Sequence, residues 1–224
     1  LAFINFELPA YEFDTYTTTY SAPEMFAMLD YFANDYAYSP EPEGCFADGV
    51  LTEGYQTYTY SDDFSYYAAG VPSTVNGFLL QKDMETVFPF YIDYYHTQYD
   101  TPDTYNEAVM RFNIAYYGAL AMYIDQMPAA DLDFTAQTAR LTAAMDKDVM
   151  AQAGADVEAY QAALAELDEA ATAMRAKVVE VNRAYEAARE AGDEAAMAQL
   201  RETGRTLTSR NLEAFRYAQK HLLG

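Results

Sequence analysis

The sequence predicts an α/β unit over residues 1–127, followed by an all-α helical bundle or hairpin over residues 128–224. Up to about Thr101, short apolar runs alternate with turn residues and tyrosines, which is typical of strands and short helices. From Pro102 onward, apolar residues recur at helical spacing with few interruptions. With 224 residues, 51% of them hydrophobic, the chain is long enough to form one good-sized core or two small ones.

The first part is predicted to alternate strands and helices. The stretch "LAFINF" indicates a buried strand because it is short, apolar and aromatic. The stretch "SAPEMFAMLDYFANDY" predicts a helix with Ser21 as N-cap and Pro23 in its first turn. Its apolar face comprises Met25, Met28, Leu29 and Phe32. A loop is predicted at "SPEPEGCFADG", and "SDDFSYYAAGVPSTVNGF" predicts a capped helix that closes at Gly70 and leads into an extended segment.

The second part is predicted to be helical throughout. The stretch "TPDTYNEAVMRFNIAYYGALAMYIDQ" combines an N-terminal capping signature with a long amphipathic run, which Pro128 ends. A shorter helix is predicted over "DFTAQTARLTAAMDKDVMAQ".

The clearest pattern follows Asp156, where apolar residues alternate spacings of three and four over more than four heptads. The seam comprises Val157, Tyr160, Leu164, Leu167, Ala171, Met174, Val178, Val181, Tyr185 and Ala188. Gly192-Asp193 interrupts it, and a second amphipathic helix over about 194–222 predicts an antiparallel hairpin. We expect the seam to pack within the hairpin; the alternative is that this helical domain forms a homodimer.

The charge excludes several classes of partner. The chain has 13 basic and 35 acidic residues, giving a net charge of -22. Phosphate binding needs clustered Lys and Arg, so we expect no nucleic-acid partner and no anionic membrane surface. No apolar run approaches the length of a membrane span. The single cysteine, Cys45, excludes an intrachain disulfide framework and a cysteine-rich zinc site.

The start of the chain carries neither an initiator Met nor a basic, signal-like segment, and "LAFINFELPA" is typical of the inside of a buried strand. We therefore expect the chain to be part of a longer protein.

His96 is the strongest candidate for a functional residue, since the only other histidine, His221, lies three residues from the end. A lone histidine among aromatic residues is more often structural than catalytic. However, Asp93 and Asp100 are placed to accept a hydrogen bond from its ring, which is the usual support of a metal-bound histidine. The competing hypothesis is that Asp100, Thr101 and Asp103 only cap the following helix, and for Thr101 and Asp103 we favour it.

Other catalytic arrangements find little support. There is no second internal histidine for a triad, no Gly-rich phosphate loop and no His-Glu-x-x-His pair. Cys45 lies in a predicted loop far in sequence from either histidine, which argues against a thiol nucleophile.

Taken in order, "AFINFE", "SDDFSYYAAGVPS", "YYHTQYDT" and a helical tail resemble the second half of M28-family zinc peptidases. The closest layout is that of the glutamate carboxypeptidase II and transferrin receptor branch. The resemblance spans nearly the whole chain, and "YHTQYDT" is its most distinctive part. It implies that residues 1–127 are the C-terminal half of a peptidase domain. It also implies that residues 128–224 form a helical domain that mediates dimerisation.

The resemblance also implies roles for four residues. His96 corresponds to the last zinc ligand, and Tyr95 to the catalytic tyrosine that contacts the tetrahedral intermediate. Asp100 corresponds to a residue that supports the ligand shell. Glu7 occupies the position of an aspartate ligand, although its extra methylene moves the carboxylate by about 1.5 Å unless the strand shifts.

The rest of the family's site has no counterpart in residues 1–224. Its first histidine, its bridging aspartate and its paired glutamates precede the point in the family pattern where this chain begins. We therefore expect two zinc ions in a complete protein, but weak or no zinc binding and no catalysis by this segment alone.

The chain is predicted to form part of a zinc-dependent exopeptidase of the aminopeptidase or carboxypeptidase type. Such an enzyme hydrolyses peptide substrates with a metal-activated water. The alternative is a non-catalytic M28-like binding or dimerisation module without a complete zinc site. A third hypothesis is an acidic helical interaction module whose likeness to peptidases is accidental. The family's usual setting favours a secreted or surface-attached location.

Overall fold

The computed structural model describes residues 2–7, 9–10, 16–34, 49–50, 59, 61–79 and 93–221, and the following structural statements concern these residues. Cys45 and the loop predicted around it lie outside this set. The strands are β1 (Phe3–Asn5), β2 (Tyr16–Ser21), β3 (Gly49–Val50) and β4 (Ser73–Leu79). The α-helices are α1 (Phe26–Asn34), α2 (Asp62–Ala68), α3 (Glu107–Gln126), α4 (Thr135–Ala143), α5 (Lys147–Gln152), α6 (Val157–Ala191) and α7 (Glu194–His221). Short 3₁₀ helices cover Pro23–Met25 and Pro102–Thr104.

The strands form a small mixed sheet in the order β1-β4-β2-β3. β1 runs parallel to β4, with Phe3 opposite Ser73, and β2 runs antiparallel to β4, with Ser21 opposite Thr74. β4 lies between β1 and β2: residues 73–75 pair with β1, residues 74–79 pair with β2, and residues 73–76 are buried. The structure confirms the coarse prediction that a unit containing strands is followed by a helical part.

The predicted apolar face of α1 is confirmed, since Met25, Met28, Leu29 and Phe32 are all buried. The predicted capping of this helix is wrong. Ser21 is the last residue of β2 and donates its hydroxyl hydrogen to the Ala22 carbonyl, so it is unavailable as a helix cap. Pro23 instead starts a 3₁₀ turn whose N-cap, Ala22, has no side-chain cap. The strand therefore determines where the helix begins.

Two further predictions about the helical part need correction. The single helix predicted over 133–152 is two helices, α4 and α5, because Asp146 accepts hydrogen bonds from the backbone N–H groups of Asp148 and Val149 and caps a new helix. The long seam is mostly buried, but Leu167 is 40% exposed and lies outside the core.

The α6–α7 hairpin is confirmed. Asp156 caps α6 through the N–H of Ala159, and Gly192 ends it with φ of 68°, a left-handed conformation that glycine adopts without a steric penalty. The helices then pack antiparallel, with Val178 and Val181 fully or almost fully buried.

The segment between α3 and α4 is held by the hairpin through hydrogen bonds. Asn182 of α6 both donates to the carbonyl of Ala129 and accepts from its N–H, each at 3.0 Å. On the α7 side, Asn211 donates to the carbonyl of Ala130 at 2.7 Å. Gly204 lets α7 approach this closely, because a Cβ there would lie 2.1 Å from the carbonyl oxygen of Pro128.

One hydrophobic core extends across the predicted boundary between residues 127 and 128. It contains residues of α1, α2 and α3 together with Leu132, Phe134, Ala171 of α6 and Phe215 of α7. Phe215 is fully buried and meets Tyr67 of α2 edge-to-face, with ring centroids 5.9 Å apart. The hairpin is therefore packed against the unit that contains the sheet.

None of the helices in the described ranges combines the length and apolar character needed to cross a membrane.

Candidate functional site

Glu7 lies just beyond the carboxyl end of β1, and two asparagines hold it. Asn76 of β4 accepts a hydrogen bond from the backbone N–H of Glu7 at 2.6 Å, and its amide nitrogen donates to the carbonyl of Glu7. Asn5 donates its side-chain amide hydrogen to Oε1 of Glu7. Glu7 thus follows the carboxyl end of β1 and lies beside the middle of β4, which continues to Leu79.

Tyr95 and His96 lie in a turn over residues 93–100. Thr97 organises it: its N–H donates to the carbonyl of Tyr94 at 3.0 Å, and its hydroxyl oxygen accepts from the N–H of Tyr99. The rings of Tyr95 and His96 are stacked, with centroids 3.9 Å apart. His96 is an exposed residue.

His96 is the only non-glycine residue with positive φ in the described part of the chain, at φ of 59°. This left-handed conformation is uncommon for residues with a Cβ, although histidine tolerates it better than most. Glycine would adopt it without strain. The turn therefore keeps an imidazole where the backbone alone would favour glycine.

Asp93 and Asp100 are exposed, and in the described part of the chain neither carboxylate is hydrogen-bonded or ion-paired to the His96 ring. Asp100 takes part in the turn through its backbone N–H, which donates to the carbonyl of Thr97 at 3.3 Å. The supporting role of Asp100 stays a prediction. The prediction that Thr101 and Asp103 cap the long helix after Pro102 is wrong: α3 begins at Glu107, and its N-cap Asn106 accepts from the N–H groups of Ala108 and Val109. Thr101 instead caps the short 3₁₀ helix, because its hydroxyl accepts from the N–H of Asp103.

The chain that leaves Glu7 is fixed to the helix that follows the His96 turn. The carbonyl of Ala10 accepts from the N–H of Asn106, the N-cap residue of α3, at 2.8 Å. The carbonyl of Pro9 accepts from the side-chain amide of Asn113 at 2.9 Å. In the described ranges no hydrogen bond or ion pair joins Glu7 to His96, so α3 is the element that links the two segments.

As metal donors, these side chains satisfy only part of what zinc requires. His96, an exposed residue, has a ring nitrogen to offer, and Glu7 has a carboxylate oxygen beyond the one bonded to Asn5. No group of three or more His, Cys, Asp or Glu side chains able to hold a metal occurs among the residues that the structure describes. Glu7 and His96 thus fit as single ligands, and the described residues do not complete a site.

A second polar centre was not anticipated from the sequence. Glu24, which follows Pro23, is fully buried and accepts a hydrogen bond from Nε2 of Gln137 on α4 at 2.8 Å. Burial raises the pKa of Glu24 above its ordinary value, while the hydrogen bond from Gln137 opposes the shift. Burial, and then the nearby Glu24, raise the pKa of Tyr67 to about 12. An acidic residue in a first helical turn is usually exposed, so no sequence signal marked this one.

Comparison with known proteins gave no assignment: no family model, curated protein or solved structure matches the chain.

Proposed function

We propose that this chain contributes part of the active site of an M28-like, zinc-dependent exopeptidase that acts on peptide substrates. The observation that carries the proposal is the exposed His96 held at φ of 59° in a turn before α3. Non-glycine residues in such conformations cluster at functional sites, because the surrounding structure must offset their strain. The motif "YYHTQYDT" and the position of Glu7 just after the carboxyl end of β1 add to it.

Each residue then has a defined task. His96 would hold one zinc ion through a ring nitrogen, and Glu7 would hold the other through a carboxylate oxygen. Tyr95, stacked on the His96 ring, is the candidate for a hydroxyl donor to the developing oxyanion of the substrate. Zinc, when bound, would activate a water molecule and polarise the scissile carbonyl. Because His96 and Glu7 supply one donor each, we expect no hydrolysis from the described residues alone.

The chain offers an internal control for testing His96. Its second histidine, His221, also lies beside a tyrosine, with its ring centroid 4.4 Å from that of Tyr217, and it is also exposed. With only two histidines, the imidazole resonances of the ¹⁵N-labelled protein are simple to assign. Because a single donor binds zinc weakly, only zinc in large excess should shift the His96 resonances of this chain, and those of His221 should stay unchanged.

The matching variants are His96→Gly and His221→Ala in the intact protein. Glycine suits the left-handed backbone, so His96→Gly should keep or slightly raise the melting temperature, by the equivalent of at most about 1 kcal/mol. It should nevertheless lower zinc content and reduce aminopeptidase or carboxypeptidase activity by at least about 100-fold. His221→Ala should change neither. Equal zinc content in the wild type and His96→Gly would refute the role of His96 as a ligand.

A second candidate function is a non-catalytic binding module of the same architecture. The observation that favours it is the engagement of Glu7, whose carboxylate accepts from Asn5 while Asn76 fixes its backbone. A residue held in this way also serves a purely structural purpose. Under this hypothesis, Glu7→Gln should preserve both stability and binding of the partner, and the intact protein should contain no zinc.

A further inference from the structure

Helix α3 has an exposed face that nothing in the described structure covers. Ile114 is 54% exposed and Met122 is 61% exposed, values that are high for large apolar side chains on a 20-residue helix. The opposite face, with Val109 and Leu120, is fully buried in the core. Exposed positions recur at spacings of three and four: Arg111, Ile114, Gly118, Ala121 and Asp125. Such a stripe is typical of a helix that packs against another helix.

The composition of this face is symmetric about Gly118. Four positions on either side lie the large apolar residues Ile114 and Met122, and three positions on either side lie the exposed alanines 115 and 121. Seven positions on either side lie charges of opposite sign, Arg111 and Asp125. No charged residue occurs between those two.

This symmetry matches the requirement of a two-fold contact. In an antiparallel pair of identical helices that cross at position 118, each residue faces the one at the mirrored distance from that point. Ile114 would meet Met122 of the second copy, and Arg111 would meet its Asp125. Gly118 at the crossing point leaves room for close approach, since a Cβ built there meets no atom within 4 Å.

We propose that this face of α3 binds the same face of a second copy of the chain in an antiparallel, two-fold arrangement. The charges favour a second copy of α3 as the partner. The face carries Arg111 at one end and Asp125 at the other, so it is complementary to itself when the second helix runs antiparallel. Both side chains are available for the contact. Among the described residues, Arg111 forms its ion pair with Glu107 one turn away, and both side chains are mostly exposed. Asp125 is exposed and has no ion-pair partner in the described structure.

The contact should be weak by itself. A single pair of helices buries less than the roughly 1,200 Å² at which stable interfaces begin. The net charge of -22 on each copy also opposes association at low salt, because like-charged molecules repel over a longer range than the Arg–Asp pairs attract. Moderate salt should therefore strengthen the dimer before high salt weakens it.

Variants that exchange the charges at positions 111 and 125 test the proposal. Their association is measured by sedimentation velocity over a concentration series reaching about 1 mM. Arg111→Asp and Asp125→Arg should each weaken association by about 10-fold, since each places like charges opposite one another twice per dimer. The double variant R111D/D125R should restore it. Net charge alone cannot produce this pattern, because the two single variants change it in opposite directions.

A further variant separates binding from folding. Gly118→Gln introduces a side chain into open space and improves helix propensity, so the monomer should keep or gain thermal stability while association is lost. A wild-type protein that stays monomeric throughout would overturn the proposal. So would association that resists these variants but is abolished by Tyr217→Glu, because the contact would then involve the exposed side of α7 instead.

Discussion

In the α6–α7 hairpin, the cap at Asp156 and the ion pairs of Lys177, Arg183 and Arg205 join residues three positions apart. Around β1 and β4, the hydrogen bonds join residues 69 and 104 positions apart, as between Asn76 and Glu7 or Asn113 and Pro9. The two helices of the hairpin are thus specified largely by local pattern, whereas their attachment to the rest of the chain uses Asn182 and Asn211, whose partners are 53 and 81 positions away. The sheet region depends on contacts whose partners cannot be identified until the chain has folded. Stability should accordingly be sensitive to long-range contacts and insensitive to the local ion pairs.

The largest effect is expected where the two regions meet. Phe215→Ala removes a fully buried ring that packs on Tyr67, and should lower the free energy of unfolding by about 3–5 kcal/mol. Urea unfolding followed by both tyrosine fluorescence and helical circular dichroism measures this loss. Tyr217→Ala, two residues along the same helix and 64% exposed, is the control and should change stability by less than about 0.5 kcal/mol. A small effect of Phe215→Ala would mean that the hairpin does not depend on the sheet region.

An intermediate effect is expected at the long-range polar contact between Glu24 and Gln137. Because the folded state raises the pKa of Glu24 above its ordinary value of 4.5, its contribution to stability is fully present below that pH. This contribution is lost as pH rises through the raised pKa. Glu24→Gln, which resembles the protonated form, should remove this part of the pH dependence, and the variant should gain stability relative to wild type as pH rises.

Melting temperatures measured from pH 4 upward test this expectation about Glu24. The comparison with the variant is necessary, because burial also raises the pKa of Asp131, against the attraction of Arg175, and Asp131 therefore shifts stability in the same direction. Parallel pH profiles for wild type and Glu24→Gln would show that folding does not change the pKa of Glu24.

The smallest effect is expected inside the hairpin. Arg205 and Glu202 form an exposed pair in which both side chains are 75% accessible, so Arg205→Ala should cost less than about 0.5 kcal/mol. Added salt should reduce even that difference. Chemical unfolding at low and high salt measures it. A loss above 1 kcal/mol would contradict the view that the local pairs of the hairpin are minor contributors.

The sequence alone supported a substantial part of the fold. Periodicity over 157–191 predicted α6 within its observed limits, and Gly192 and Gly70 marked the ends of two helices because their left-handed conformations favour glycine. The same reasoning failed at Ser21, whose hydroxyl is a good cap by composition but belongs to a strand. It also failed at Asp146, where one local cap divides the predicted helix into two.

The candidate site shows a similar division. His96, Tyr95 and Glu7 were selected from residue type and motif, and the structure adds the left-handed turn and the Tyr95 stack. The hydrogen bonding between Asn76 and Glu7 could not be predicted, because no local sequence pattern indicates that two residues 69 positions apart are paired.

By itself, then, the sequence determined where the two helices of the hairpin lie and most of the face that α6 buries, because helix periodicity and caps are local properties of the chain. It also determined the acidic charge and the scarcity of histidine. Only the tertiary structure decided that Glu24 is buried, that the 128–132 segment is held between two asparagines of the hairpin, and that one face of α3 stays exposed. Burial and hydrogen bonding at these positions depend on which distant elements pack together, and local residue patterns do not predict that packing.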